Sequence, residues 1–409
     1  GFEKGLPVVY YQSSEGAEYF STVQEVRKWT AASQNATRSK PVRGKTVAEM
    51  ALDAYLYVTA ETRPRKIKHG IEIPTSFKDA LTTGDERWYR AINKERGGIL
   101  QFKTWEYIDQ SKVTPEMRKR TLRAHHIFDV KRSGATKNRV VVNGNRQDPS
   151  TYSDTASPVA SLLQVRIFLA IVAARKYHIV QGDYKNAYLT ADLKDFVLII
   201  VPEGFPRAGE VAILRKAQYG TKQGARRFYD KAADDLKAIG MVQCAAEPCL
   251  FRYHNSAKNI VCFLLLYVDD SLIAGDDEAV QFITGALQQR YECNFHPPKD
   301  FLGMDITRSK DGGEISISMQ TFTDKMVERY KIPRQQYPVA TPGRTDLKVI
   351  RDGVKPKVLD EEYRSKVGSI NWLTMALRYD MAYSSKELSR ALDEPNPIAQ
   401  NTLLPRALQ

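Results

Sequence analysis

The feature that most constrains this chain is a long apolar run that stops on two adjacent carboxylates. Residues 260–268 are β-prone and almost uninterrupted, Asp269 and Asp270 follow, and residues 272–274 are apolar again. A strand buried on both faces reads this way. The chain must therefore turn at the acids, because continuing straight would bury two charges. A third carboxylate, Asp183, ends another apolar strand over 178–184. Exposed acids at strand ends are ordinary, but neighbouring carboxylates repel, and one is driven to protonate unless a cation neutralises them. Hard oxygen ligands with few nitrogens or sulfurs nearby point to Mg2+ rather than zinc. Successive strand residues face opposite ways. The expectation is that Asp269 shares two metal ions with Asp183, with Asp270 in a lesser part.

The order of elements around these acids predicts an α+β domain. Residues 162–177 are apolar on nearly all sides and read as a helix buried under a sheet. The strand at 178–184 follows, then a helix over 225–239 closed by Gly240, then two apolar strands separated by a polar turn at 254–259. Asp276 and Asp277 are placed to cap a helix over 279–291. Asp311-Gly312-Gly313 signals a hairpin between 301–307 and 314–319. Upstream, helices are expected near 76–81 and 88–99, and downstream a helical region over 361–392 carries a basic face and Trp372. Basic residues cluster from Arg118 to Arg146, with Ser133-Gly134 as the turn between extended segments. Such a hairpin is suited to gripping phosphates, the alternative being a solvated charged face.

A chain of 409 residues exceeds the usual size of one compact domain and implies two or three subdomains. The four cysteines form no CxxC pair, and Cys262 lies within an apolar run, which fits reduced thiols, an intracellular protein and no zinc site. No stretch approaches the roughly eighteen apolar residues of a membrane span. An excess of 61 Lys and Arg over 48 Asp and Glu, a formal charge of +13, favours a polyanionic partner without naming it. Gly1 at the start, and an end inside a helical pattern, suggest a piece of a polyprotein. Residues 1–73 carry no assignable chemistry.

Tyr267-Val268-Asp269-Asp270 resembles the YVDD box of reverse transcriptases. QGDYKNAYLTADL from Gln181 resembles the catalytic strand of the copia type, and QYGTKQGARRFY from Gln218 resembles that family's LYGLKQ block. FLGMDI from Phe301 is similar to its FLG box, and YRSKVGSINWLTMALRYDMAYS from Tyr363 to its thumb-side block. SFKDAL, RWYRAINKE and TWEYI resemble its usual opening. Over residues 74–409, in order, the chain is similar to the reverse transcriptases of copia-type LTR retrotransposons, the polymerase core of the pol polyprotein.

That resemblance implies a right-hand polymerase fold with fingers, a palm made of an antiparallel sheet backed by helices, and a partial thumb. Fingers and palm would occupy 74–320, and a thumb-side helical region 321–409, stopping before RNase H. The implied activity is RNA-directed DNA polymerisation, adding dNTPs to a primer 3′-hydroxyl by two-metal phosphoryl transfer. It implies two Mg2+ ions, with Mn2+ as an alternative. Asp183, Asp269 and Asp270 would be the catalytic and metal-holding triad. Tyr188 would lie beneath the incoming sugar, the alternative being a core aromatic. Gln223 would touch the incoming nucleotide, and Arg139, assisted by Lys131, would grip its triphosphate. Phe301, Leu302 and Gly303 would steady the primer terminus, the alternative being an ordinary hairpin core. Implied partners are an RNA or DNA template with primer, dNTPs, and other polyprotein segments such as integrase and RNase H, with no membrane. The implied location is a cytoplasmic virus-like particle with a nuclear phase. Thr221, where the family has an apolar residue, and Val142-Asn143-Gly144, where it has Ala-X-Gly, depart from the pattern and put only local packing in question. A nucleic-acid-binding remnant that no longer polymerises is the competing reading.

Overall fold

In this computed structural model the described residues are 66–131, 133–333, 339–343, 348–349 and 353–408, together with the backbone of a hairpin, Val9–Ser13 with Gly16–Phe20. Most of the upstream segment 1–73 thus lies outside the described residues. The chain divides into two compact units. One comprises Gly1–Pro158 and Tyr184–Asp235, the other Val159–Asp183 and Leu236–Gln409. Both mix helices with sheets, so the α+β class expected from the sequence is the one observed.

The first unit is built on a five-stranded sheet in the order Trp105–Tyr107, Val211–Leu214, Leu198–Ile200, Leu122–Val130, Thr136–Val142. The last two strands are the expected basic hairpin. Its turn is closed by Gly134 N–H donating to the Lys131 carbonyl at 2.9 Å and Lys131 N–H to the Ala135 carbonyl at 2.8 Å. Alternation buries Phe128, Val130, Val140 and Val142. Trp88, from the helix Glu86–Gln101, meets Phe128 edge to face at 5.6 Å. The preceding helix, Phe77–Thr82, starts where Ser76 accepts the Asp79 N–H at 3.0 Å.

The two departures from the family pattern meet in this unit. A side-chain carbon on Gly144 would collide with the Gly220 carbonyl oxygen, and one on Gly220 with the Val142 carbonyl oxygen, so both positions must lack Cβ. Thr221, buried beside them, donates its hydroxyl to the Gln218 carbonyl at 2.7 Å, so a polar residue sits there at little cost.

The second unit holds a six-stranded sheet in the order Val242–Gln243, Leu250–Asn255, Ile260–Tyr267, Asp270–Gly275, His178–Tyr184, Cys293–His296. The run 260–268 ends as expected at the acids, and Cys262, Leu264, Leu265 and Leu266 are buried. Helix Asp277–Gln288 inters Ala279, Val280, Ile283 and Leu287. Asp276 stands at its N-cap position but makes no side-chain capping bond. Its carboxylate instead takes the Val261 N–H at 2.7 Å, tying the helix start to the neighbouring strand. A separate three-stranded sheet is formed by Asp300–Phe301, Met304–Arg308 and Ile315–Ser318. Downstream, Tyr363–Ala376 and Ala382–Ser389 pack together, Tyr363 donating its hydroxyl to the Leu388 carbonyl at 2.9 Å.

The helix expected over 162–177 is Leu162–Arg175, and one stripe of it, Val165, Phe168, Leu169 and Val172, is enclosed. Leu163, Ile167 and Ile171, spaced at one helical turn, are exposed. A single packed layer covers one stripe of a helix, whatever the composition of the opposite one.

Candidate active site

In the second unit the three acids occupy two adjacent strands and the turn joining one of them to its neighbour. Asp270 is the direct ladder partner of Asp183, and Tyr267 pairs with Asp270 across a two-residue turn, Val268-Asp269. Directly opposed residues of an antiparallel pair project to the same face, with Cα atoms about 4.5–5.5 Å apart. Register therefore sets Asp183 directly opposite Asp270. Asp269 lies in the turn, held there by Val268 in the left-handed region at φ 53°. For a β-branched residue that conformation costs on the order of 1–3 kcal/mol. The strain sits one residue from the acids.

Burial, the Asp269 charge and then the Asp183 charge push the Asp270 carboxyl up to about 6, with Asp300 adding to the effect and His296 opposing it. Asp300 is a fourth acid that the sequence reading missed; its position directly before Phe301 was the available signal. Among the described residues no three of His, Cys, Asp and Glu stand close enough to enclose a metal ion by themselves. Mg2+ is usually held by one or two carboxylates, completed by water and substrate phosphates, rather than by an all-protein cage. The donor set, oxygen-only and destabilised by its own charge, fits such an ion.

The Phe301-Leu302-Gly303 segment forms a second two-residue hairpin turn, Phe301 pairing with Met304. Leu302 at φ 53° and Gly303 at φ 79° give the type I′ pattern. Phe301 is buried and meets Tyr267 of the acid hairpin edge to face, at 6.1 Å and 72°. The two turns are thus linked through one aromatic pair. Trp372 Nε1 lies 4.0 Å from where a side-chain carbon on Gly303 would begin, so the thumb-side helix reaches the same turn.

The expected nucleotide-binding residues lie in the first unit, and two of them, Arg139 and Tyr188, converge on a residue not singled out in advance, Tyr219. The Arg139 guanidinium lies over the Tyr219 ring at 4.2 Å and donates to its hydroxyl at 3.3 Å. Tyr188 packs against the other ring neighbours, Tyr219 at 4.3 Å and Phe228 at 5.8 Å. Tyr188 is buried and lies in the short helical turn Ala187–Thr190 beyond the catalytic strand. Gln223 is also buried. Its amide accepts from Gln147 Nε2 at 2.9 Å and donates to Asp195 at 3.2 Å, while Arg227 holds the same Asp195 at 3.2 Å. Both ends of the Gln223 amide are thus engaged, pinning the loop before helix Gly224–Ala238, and one amide hydrogen and one carbonyl lone pair remain for a nucleotide. Lys131 is at the hairpin turn, while Arg139 pairs with Ile127. Four residues of strand, roughly 13 Å, separate their levels, so the structure does not bring them together.

Comparison with known proteins gives the family. The family described as reverse transcriptase (RNA-dependent DNA polymerase) matches residues 102–345. The retrovirus-related Pol polyprotein from transposon TNT 1-94 of Nicotiana tabacum is 28% identical over 341 residues, covering 79% of this chain and 25% of that protein. The Pol polyprotein from transposon RE2 of Arabidopsis thaliana is 30% identical over 330 residues, covering 78% of this chain and 22% of that protein. This chain thus spans a quarter or less of those relatives. Among solved structures, a foamy viral protease-reverse transcriptase in complex with double-stranded DNA aligns with a TM-score of 0.40 and 13% identity, over 78% of this chain and 47% of that one. With more than half of its length matched, the chain belongs to the reverse transcriptase (RNA-dependent DNA polymerase) family, in the branch of copia-type LTR retrotransposons.

Proposed function

We propose that this chain is an RNA-directed DNA polymerase core that adds dNTPs to a primer 3′-hydroxyl, with Asp183, Asp269 and Asp270 as its metal-holding carboxylates. One observation carries the reading: Asp183 and Asp270 face each other across the ladder, Asp269 adjoins them in a strained turn, and their mutual repulsion leaves a place for a cation. Two Mg2+ ions, when bound, would activate the attacking hydroxyl and stabilise the leaving pyrophosphate. Phe301, Leu302 and Gly303 support the primer terminus, kept in step with the acids by the Tyr267–Phe301 contact. Arg139 receives the triphosphate, with Lys131 farther along the hairpin contributing charge to the polyanion. Tyr188 forms the floor beneath the sugar, held by its tilted contact with Tyr219 and its stack on Phe228, and Gln223 serves by holding the loop that Gly224 begins to turn into helix. The first unit supplies the fingers, and the second the palm and thumb side. Partners in this reading are a primed RNA or DNA template, dNTPs and the remaining polyprotein segments, in a cytoplasmic virus-like particle with a nuclear phase.

The test is dTTP incorporation on poly(rA)/oligo(dT) with Mg2+, comparing the chain with Asp269→Asn. Incorporation should fall by about 10²–10³-fold or more, as when a principal electrostatic stabiliser is removed, while salt-sensitive duplex binding survives. If neither protein extends the primer but both bind it, the chain is a nucleic-acid-binding remnant and the catalytic reading is lost.

A further inference from the structure

The strand that carries Arg139 is the terminal one of its sheet, and its outer edge is closed by other means than a further strand. Val142 N–H donates to the Tyr219 carbonyl at 2.8 Å, and Gln218 Nε2 donates to the Val140 carbonyl at 2.8 Å. Val140 N–H donates to Glu95 Oε1 at 2.8 Å, from the middle of helix Glu86–Gln101. An ionisable side chain in such an enclosed position is costly. Burial pushes the Glu95 carboxyl up, opposed by the Val140 N–H and by the charges of Arg139 and Lys137. A helix facing a sheet is normally lined with apolar residues, and Trp88, Ile92 and Ile99 of this helix are. Glu95 breaks that pattern at the one place where the strand's unpaired N–H lies next to Arg139.

We propose that Glu95 is a positioning residue for nucleotide binding: by accepting the Val140 N–H it fixes the edge strand so that Arg139 stays seated over Tyr219. The inference rests on the reading that Arg139 grips the triphosphate. Arg139 Cα and Val140 N–H belong to one planar peptide unit, so anchoring that N–H restrains the direction in which the Arg139 side chain leaves the strand. Without the acceptor that N–H is orphaned in an enclosed place, and the strand end shifts to find another partner. The guanidinium then loses its fixed place on the ring, and a long arginine side chain must be ordered anew each time a nucleotide binds.

The experiment measures steady-state dTTP incorporation on poly(rA)/oligo(dT) for the full chain and for Glu95→Met, Glu95→Gln and Arg139→Ala. Methionine keeps the length and helix preference of Glu95 but accepts no such bond, whereas glutamine restores the acceptor. KM for dTTP should rise about five- to tenfold in Glu95→Met, with kcat within about twofold, the pattern of lost binding energy rather than lost chemistry. Glu95→Gln should return to within about twofold of the parent, and duplex affinity should be unchanged in both. A general loss of folding would lower kcat and duplex binding together, and glutamine would not selectively restore KM. If Arg139→Ala raises KM but Glu95→Met does not, the positioning role is overturned and the Arg139 reading stands. If Arg139→Ala itself leaves KM unchanged, the Arg139 reading fails, and the role of Glu95 toward the nucleotide falls with it.

Discussion

Two hairpin turns in the second unit share a plan and differ in the charge they carry. Tyr267-Val268-Asp269-Asp270 and Phe301-Leu302-Gly303-Met304 each run aromatic, bulky aliphatic, turn residue, first residue of the next strand. In each the aliphatic residue takes φ 53°, a conformation that favours glycine or asparagine. In the second turn Gly303 follows at φ 79° and completes an ordinary tight hairpin; in the first an aspartate occupies that place and brings charge to the tip. Their aromatic residues touch each other. The comparison teaches that the same local strain serves two ends. It sets a carboxylate beside its partners in one turn and brings a bare backbone close to Trp372 in the other.

The largest effect that would break this comparison is loss of the aromatic link. Phe301→Ala removes a fully enclosed ring and should cost about 3–5 kcal/mol of stability, measured by denaturant unfolding. Tyr267→Ala, at a half-buried position, should cost less, and equal losses at the two sites would mean that the turns are not supported asymmetrically. Next comes the charge difference. Asp270 titrates near 6 in the folded protein against an ordinary 3.8. The folded state therefore holds this proton more tightly than the unfolded chain, and stability falls as pH rises from about 4 through about 6. In metal-free protein, Asp270→Asn should flatten that part of the Tm-against-pH curve and leave the mutant more stable at neutral pH. A mutant curve parallel to the parent's would refute the repulsion inferred at the acid turn. The smallest effect concerns the shared backbone strain. Val268→Asn and Leu302→Asn should each gain about 1 kcal/mol, since asparagine tolerates the left-handed region. A gain at Leu302 without one at Val268 would show that only the second turn is strained.

Much of this site was legible in the sequence because its elements obey local rules. An unbroken apolar run marks the buried strand 260–267, and a pair of acids that cannot be buried marks the turn between 267 and 270. The basic hairpin was readable from Ser133-Gly134 and the extended segments beside it. The partner of Asp183 was not readable. Register between His178–Tyr184 and Asp270–Gly275 is set by strands far apart in sequence, and a shift of one residue would have placed Asp269 opposite it instead. The Gln223 amide is engaged by Gln147 and Asp195, which no local pattern connects to it. The contact of Glu95 with Val140 joins segments far apart in sequence and has no local signal either. Composition states that Leu163, Ile167 and Ile171 are apolar and not how many layers cover them, so their exposure too was decided by packing.

By itself the sequence determined the α+β class, the strands and turns that carry the acids, and the family. These depend on residue type and short-range spacing, which the chain carries locally. Tertiary structure alone decided which carboxylates face each other, that Phe301 braces Tyr267, that Arg139 and Tyr188 meet on Tyr219, and which polar side chains are spent on the scaffold. Those outcomes depend on strand register and on which distant segments close-pack, and each is selected by the balance of the whole core rather than by neighbours in the chain.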